Sequence, residues 1–314
     1  MPIGATVENK NVSNKSLGNR TSDLFEFELT EPRHSLADLV LNKKTMDELK
    51  AAIALKTQSE YVYNTLGFSE THSYNNKFIV NFYGVPGTGK TMAAHAMAHA
   101  FSKKLLVVDY SQIESKYVGD TPKNLVKIFD FAKGQNCLIF FDEADAILSR
   151  RVTNMTSATD TSVNQTRSVM LNILNDFSGS IVFATNFVSN YDSAFMRRIL
   201  KHVQFHLPDF DARLKMVAKY LPAKVANTLD LIEIAKESEG LSGAEISNVT
   251  LMTAFQVASE GRGIVAQEDI FSQIKNVKLS KQANSKHEFE QGGDIQTSIV
   301  SKEYVEKQIG KEIL

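Results

Sequence analysis

Cysteine is almost missing from this 314-residue chain: Cys137 stands alone. No disulfide can form within the chain, and a reducing compartment, the cytoplasm, is expected. Long apolar runs are missing too. None approaches the ~18 residues of a membrane span, so no membrane partner is expected. The N-terminus, MPIGATVENKNVSNKSLGNRTSD, lacks the apolar stretch of a secretory signal and reads as a polar, disordered tail. Neither sign of charge is in excess: 35 basic and 36 acidic side chains leave a net charge of -1, without the basic footprint of a nucleic-acid binder. There is no internal repeat and no HExxH zinc-protease motif. What remains is an ordinary composition, 43% hydrophobic and 23% charged, long enough for one large or two modest domains.

Against that plain background stands GVPGTGKT, from Gly84 to Thr91. It fits the phosphate-binding loop pattern at Gly84, Gly89, Lys90 and Thr91. Gly84, Val85, Pro86, Gly87, Thr88 and Gly89 form a loop whose backbone N–H groups would curl around phosphate oxygens, and the helix opening at Lys90, Thr91 and Met92 adds the positive end of its dipole. Lys90 would reach the terminal phosphates of ATP and the Thr91 hydroxyl would ligate Mg²⁺. The flanks agree. Phe78 to Tyr83 reads as a buried strand, and Met92 to Phe101, rich in Ala and Met, reads as a helix.

A second signal is LIFFDEAD, Leu138 to Asp145. The apolar run Cys137 to Phe141 reads as a central strand presenting Asp142 and Glu143 at its C-terminal end, where open α/β sheets hold their ligands. Asp142 is the acid expected beside Mg²⁺, and Glu143 the one that polarises an attacking water. The DEAD letters also mark RNA helicases. Ala184-Thr185-Asn186 follows the next apolar strand where such a helicase has Ser-Ala-Thr, and the chain after Thr91 is too short to complete two helicase cores.

The organisation follows from shifts in pattern. Residues 1–34 are a polar tail, and 35–207 alternate strands and helices, predicting an α/β domain with a parallel sheet and helices on both faces. Pro208-Asp209 marks a break. Residues 208–279 carry helical spacing, with Leu214, Val217, Ala218 and Leu221, then Ile246, Val249, Met252, Thr253 and Phe255, and read as a small helical domain. Residues 280–314 are a polar connector with Gly292-Gly293, followed by an amphipathic terminal helix over Val300 to Ile313. His95/His99 and His202/His206 have i,i+4 spacing but are read as structural.

From about Ser35 to Val277 the chain resembles the AAA ATPases, in particular the clade of ring-forming protein unfoldases and remodelers in its short single-ring bacterial forms. That resemblance implies further roles. Lys116, Tyr117, Val118 and Gly119 look like the loop that lines the pore of a hexameric ring, where stacked aromatic rings grip an extended polypeptide of any sequence. Asn186 resembles the sensor that hydrogen-bonds the γ-phosphate or its attacking water. Arg197 and Arg198, in DSAFMRR, resemble the arginine fingers that enter the neighbouring subunit's site. Gly243 and Ala244, in GLSGAEI, would pack close to the nucleotide, and the backbone of Asp38 and Leu39, in SLADLV, would contact adenine.

The resemblance therefore implies an ATP hydrolase using Mg²⁺, a homo-oligomer of six subunits, and a protein substrate reached directly or through an adaptor. Two other readings stay open: a non-threading assembly factor or switch for a partner complex, and, against the neutral charge, a nucleic-acid motor.

Overall fold

The computed structural model describes residues 28–72, 77–109, 121–148, 158–186 and 191–291. The core is a six-stranded sheet built from β1 (Leu29–Thr30), β2 (Phe78–Gly84), β3 (Lys104–Asp109), β4 (Cys137–Asp142), β5 (Ser180–Thr185) and β6 (Lys201–Phe205), in the order β1-β3-β4-β5-β2-β6. All neighbours run parallel except β1, which pairs antiparallel with β3 at the edge. The mixed α/β class with a mostly parallel sheet is thus the one the strand and helix alternation predicts.

Both faces of the sheet are covered, so its central strands are largely apolar and successive residues feed opposite cores. Ile79, Ile139, Phe141, Ile181 and Phe183 pack under α3 (Thr121–Lys133) and α5 (Ala158–Asp176). Val80, Phe82, Leu138, Phe140 and Val182 pack under α1 (Lys43–Thr57) and α2 (Lys90–Ala100). In α3 the buried stripe is Leu125, Ile128, Phe129 and Ala132, at the spacing of one helix face. Phe129 stacks on Phe141 at 5.8 Å between centroids, and Phe141 on Phe183 at 5.4 Å, so aromatic contacts bind helix to sheet across two strands.

Of two short helices, α4 (Asp145–Leu148) follows β4 and α6 (Ser193–Met196) precedes β6. The helical unit follows: α7 (Phe210–Tyr220), α8 (Ala223–Ala226), α9 (Leu231–Glu237), α10 (Gly243–Ser259) and α11 (Gln267–Gln291). Its core gathers Met216, Val217, Ile234, Leu241, Ile246, Val249, Ile270 and Ile274. In α10 the buried face is Ile246, Val249, Thr250, Thr253 and Val257, which turns Met252 and Phe255 outward, at 46% and 62% exposed.

Two expected boundaries move. The expected tail of 1–34 contains part of the sheet, because Leu29 and Thr30 pair with Leu106 and Leu105. The connector expected from Ser280 is helical to Gln291. From Ser280 to Gln291 the sequence has neither Gly nor Pro, and its Lys, Gln and Ala residues favour helix without demanding burial.

Candidate nucleotide site

Three strand ends converge on one cavity of about 570 Å³. The loop leaves β2, the acids leave β4, and Asn186 leaves β5, which lies between them in the sheet. In the loop Gly87 and Gly89 have φ of +75° and +98°, conformations open to glycine at little cost. Gly89 caps α2, so the first turn of that helix points its N–H groups into the cavity.

Lys90 is the most constrained side chain. Its Nζ donates to the carbonyl oxygens of Gly84 (2.6 Å) and Val85 (3.3 Å) and to Asn186 Oδ1 (3.0 Å). Burial pushes its ammonium below the usual lysine range, opposed by the nearby Asp142 and Asp145 carboxylates. The Thr91 hydroxyl donates to Asp142 Oδ2 at 3.1 Å. Beside them Glu143 has a left-handed backbone, φ +52°, a conformation uncommon for a residue with a side chain and frequent at functional sites. Its N–H donates to Asp142 Oδ1 (3.0 Å), and the next N–H, of Ala144, donates to the Ala184 carbonyl (2.9 Å). The kink leaves Glu143 exposed at the cavity wall.

The helical unit closes the other side. The N–H of Ala244 donates to the Gly87 carbonyl at 3.1 Å, and Gly243 faces the same oxygen. Ser242 caps α10 in a reciprocal box with Glu245, whose carboxylate accepts from the Ser242 N–H at 2.7 Å. Asp38 and Leu39 line the cavity as expected from the sequence, but the Asp38 carboxylate turns away: it accepts from the Ser35 N–H (2.7 Å) and hydroxyl (2.9 Å), and these bonds hold it below the usual carboxylate range. The Asp38 carbonyl accepts from Lys219 Nζ at 2.9 Å.

Lining residues that sequence reasoning missed are Val40, Leu41, Ala184, Met216, Lys219, Tyr220, Ser247 and Asn248. Ser247 and Asn248 lie one helical turn beyond Gly243 and Ala244, so the 3.6-residue period already pointed to them. Nothing in the spacing singled out Lys219. The pore-loop residues Lys116, Tyr117, Val118 and Gly119 lie outside the described residues.

Arg197 and Arg198 are not in the cavity. Arg197 Nε donates to the Ser193 carbonyl (3.3 Å); Arg198 donates from Nε to Asn175 Oδ1 (2.9 Å) and from Nη1 to the Ala194 carbonyl (2.7 Å). Two residues on, the Leu200 N–H donates to the carbonyl of Ile79, near the start of β2. The P-loop begins at the other end of that strand, at Gly84, roughly 17 Å away at 3.3 Å per residue. The pair therefore sits at the opposite end of the sheet from its own chain's loop.

The donor set fits a nucleotide with a hard cation. A hydroxyl and a carboxylate oxygen in contact, Thr91 and Asp142, are the ligand types Mg²⁺ takes. Among the described residues no cluster of three or more His, Cys, Asp or Glu would hold a metal by itself. Mg²⁺ at this place would share its ligands with phosphate, its usual habit in such loops.

Residues 80–207 match the family described as ATPase family associated with various cellular activities (AAA). More particularly, the chain is 30% identical over 259 residues to the proteasome-activating nucleotidase of Pyrococcus abyssi, covering 80% of this chain and 64% of that protein. Similar matches are the proteasome-activating nucleotidases of Thermococcus onnurineus (30% over 264 residues; 82% and 65% covered) and Saccharolobus islandicus strain Y.N.15.51 (30% over 247; 76% and 61%). The chain thus spans less than two thirds of the length of these relatives. No helix among the described residues is long and apolar enough to cross a membrane.

Proposed function

We propose that the protein is a ring-forming, Mg²⁺-dependent ATP hydrolase that uses the energy of hydrolysis to remodel or unfold a protein substrate. The observation that carries this reading is that one cavity is lined by Lys90 bonded to Asn186 and Thr91 bonded to Asp142, with Glu143 beside them. Lys90 would turn from the loop carbonyls to the β- and γ-phosphates, and Asn186, already bonded to it, would follow the γ-phosphate. Glu143 accepts a hydrogen bond from the attacking water and holds its proton as the P–O bond breaks. Mg²⁺, when bound between Thr91 and Asp142, neutralises phosphate charge.

Arg197 and Arg198 belong to a neighbour's site, since their own loop lies at the far end of the sheet. The site is then completed only in an oligomer, taken to be a hexamer in the cytoplasm. The similarity to proteasome-activating nucleotidases supports a protein substrate. Tyr117, flanked by Lys116, Val118 and Gly119, is assigned to the pore that grips it, with or without an adaptor. The narrower assignment, a short single-ring form of bacterial type, rests on the motifs alone; the relatives named above are archaeal.

Glu143→Gln tests the chemistry: nucleotide should bind as before while turnover falls at least a hundredfold. Normal hydrolysis by that variant would remove Glu143 from the mechanism. Tyr117→Ala tests the threading, because ATPase should persist while substrate unfolding stops. Unimpaired action on substrate would favour a non-threading assembly factor instead.

A further inference from the structure

The middle of the sheet contains a polar cluster that the nucleotide chemistry does not use. Asn81, at the centre of β2, is fully buried, and its Nδ2 donates to the Tyr191 hydroxyl at 3.2 Å. The same hydroxyl bonds the Thr185 hydroxyl at the end of β5. His202 Nδ1 on β6 lies 3.4 Å from Asn81 Nδ2. Asn81 Oδ1 has no partner among the described residues, so the sheet bears a cost for this group. Tyr191 is 8% exposed, and burial pushes its phenol above the usual range.

The position of Tyr191 gives the cluster its meaning. On one side its hydroxyl holds Thr185, the residue before Asn186, whose N–H donates to the Asp145 carboxylate (3.2 Å to Oδ1) and whose Oδ1 accepts from Lys90. On the other side comes Asp192, whose N–H donates to the Leu148 carbonyl (2.9 Å) and whose carboxylate caps α6 by accepting from the Ala194 N–H (2.8 Å). Helix α6 leads directly to Arg197 and Arg198. One short path therefore runs from Lys90 through Asn186, Thr185 and Tyr191 to the arginine pair.

We propose that the Tyr191 hydroxyl is a positioning group that ties the Asn186 strand end to the arginine-bearing helix, so that the nucleotide state of one subunit sets where its arginines stand in the next subunit's site. The inference rests on the ring-ATPase reading above. Hydrogen bonds to Asn81 on β2 and Thr185 on β5 fix the segment that starts α6 in one orientation. Without them the aromatic ring still fills its place in the core, but the hold on the strand end is lost.

The experiment compares full-length wild type, Tyr191→Phe, Thr185→Val, the double variant and Glu143→Gln for nucleotide affinity, kcat, KM and thermal midpoint. Tyr191→Phe should lower kcat about tenfold with nucleotide affinity unchanged, and in an Arg197→Ala background it should add little further loss. Tyr191→Phe alone leaves buried Thr185 and Asn81 groups short of a partner and lowers the midpoint. Pairing it with Thr185→Val replaces both hydroxyls by apolar groups and should recover most of that loss, while kcat stays low. The double variant is also the one to measure should Tyr191→Phe fold poorly. Recovery of kcat together with the midpoint would make the cluster merely structural and overturn the inference, as would a raised KM at unchanged kcat. A fully active Glu143→Gln brings down the ATPase reading and this inference with it; an inactive Glu143→Gln beside a fully active Tyr191→Phe brings down this inference alone.

Discussion

The N–H of Ala244, in the first turn of α10, donates to the carbonyl oxygen of Gly87 in the centre of the phosphate loop, 3.1 Å away. The small helical unit thus touches the loop through backbone, with no side chain between them. In the proposed function, this contact is the one through which a change in the loop's path would reach α10 and the core around Ile246 and Val249.

Gly87→Ala tests that contact. A Cβ there would meet Ser242 Oγ at 2.8 Å and the Ala244 Cβ at 2.9 Å, and the backbone φ of +75° disfavours any side chain. Nucleotide affinity should weaken at least tenfold, worth about 1.4 kcal/mol, and the strained loop should also lower the thermal midpoint of the nucleotide-free protein. Isothermal titration and a melting curve separate the two effects.

Arg197→Ala and Arg198→Ala should each reduce turnover by about a thousandfold without weakening nucleotide binding. Their defect should act across the subunit boundary. Mixing an Arg197→Ala, Arg198→Ala protein with Lys90→Ala protein should restore part of the activity, since the second supplies the arginines that the first lacks. Two inactive proteins that stay inactive when mixed in any proportion would place the pair outside the neighbour's site.

Lys219→Ala removes the ammonium that bridges the helical unit to the Asp38 carbonyl at the cavity rim. Affinity for ATP is expected to fall about fivefold, with kcat retained at saturation. Steady-state kinetics over a wide ATP range will show whether the change lies in KM alone.

Acid should destabilise the protein through His95. Its Nδ1 accepts the Arg33 N–H at 3.3 Å, and burial, His34 and Arg33 together hold its pKa below the ordinary 6.5. The unfolded chain then binds the extra proton more readily, so stability is full above pH ~6.5 and is lost as pH falls from there through the folded value. His202, lowered by burial, adds in the same direction. His95→Gln, which keeps an acceptor but does not titrate, should flatten part of the fall in thermal midpoint between pH 7 and pH 5.

Much of this site is legible in the letters because its chemistry is local. GVPGTGKT forms its cradle from consecutive backbone groups, and Cys137 to Phe141 reads as a buried strand from its apolar run alone, so Lys90, Thr91, Asp142 and Glu143 fall where pattern puts them. Asn186 is found by the strand before it. Asp38 and Leu39 line the cavity, and the Asp38 carboxylate is spent on Ser35 in a three-residue capping turn, which leaves the backbone of this segment toward the cavity as the part the sequence pointed to. The helical extension to Gln291 was obscured because polar residues without Gly or Pro suit a helix and a linker equally well.

Sequence by itself determined the phosphate loop, the paired acids and the alternation that builds a parallel sheet, since each depends on residues adjacent in the chain or on a period of two or 3.6. Tertiary structure alone decided three things. Strand order placed β5, and so Asn186, between the loop and the acids. Strand length placed Arg197 and Arg198 at the sheet's far end. Packing brought Ala244 onto Gly87 and Tyr191 onto Thr185 and Asn81. Such contacts join residues many positions apart, and no local pattern records them, because burial and hydrogen-bond satisfaction are settled only when the whole core closes.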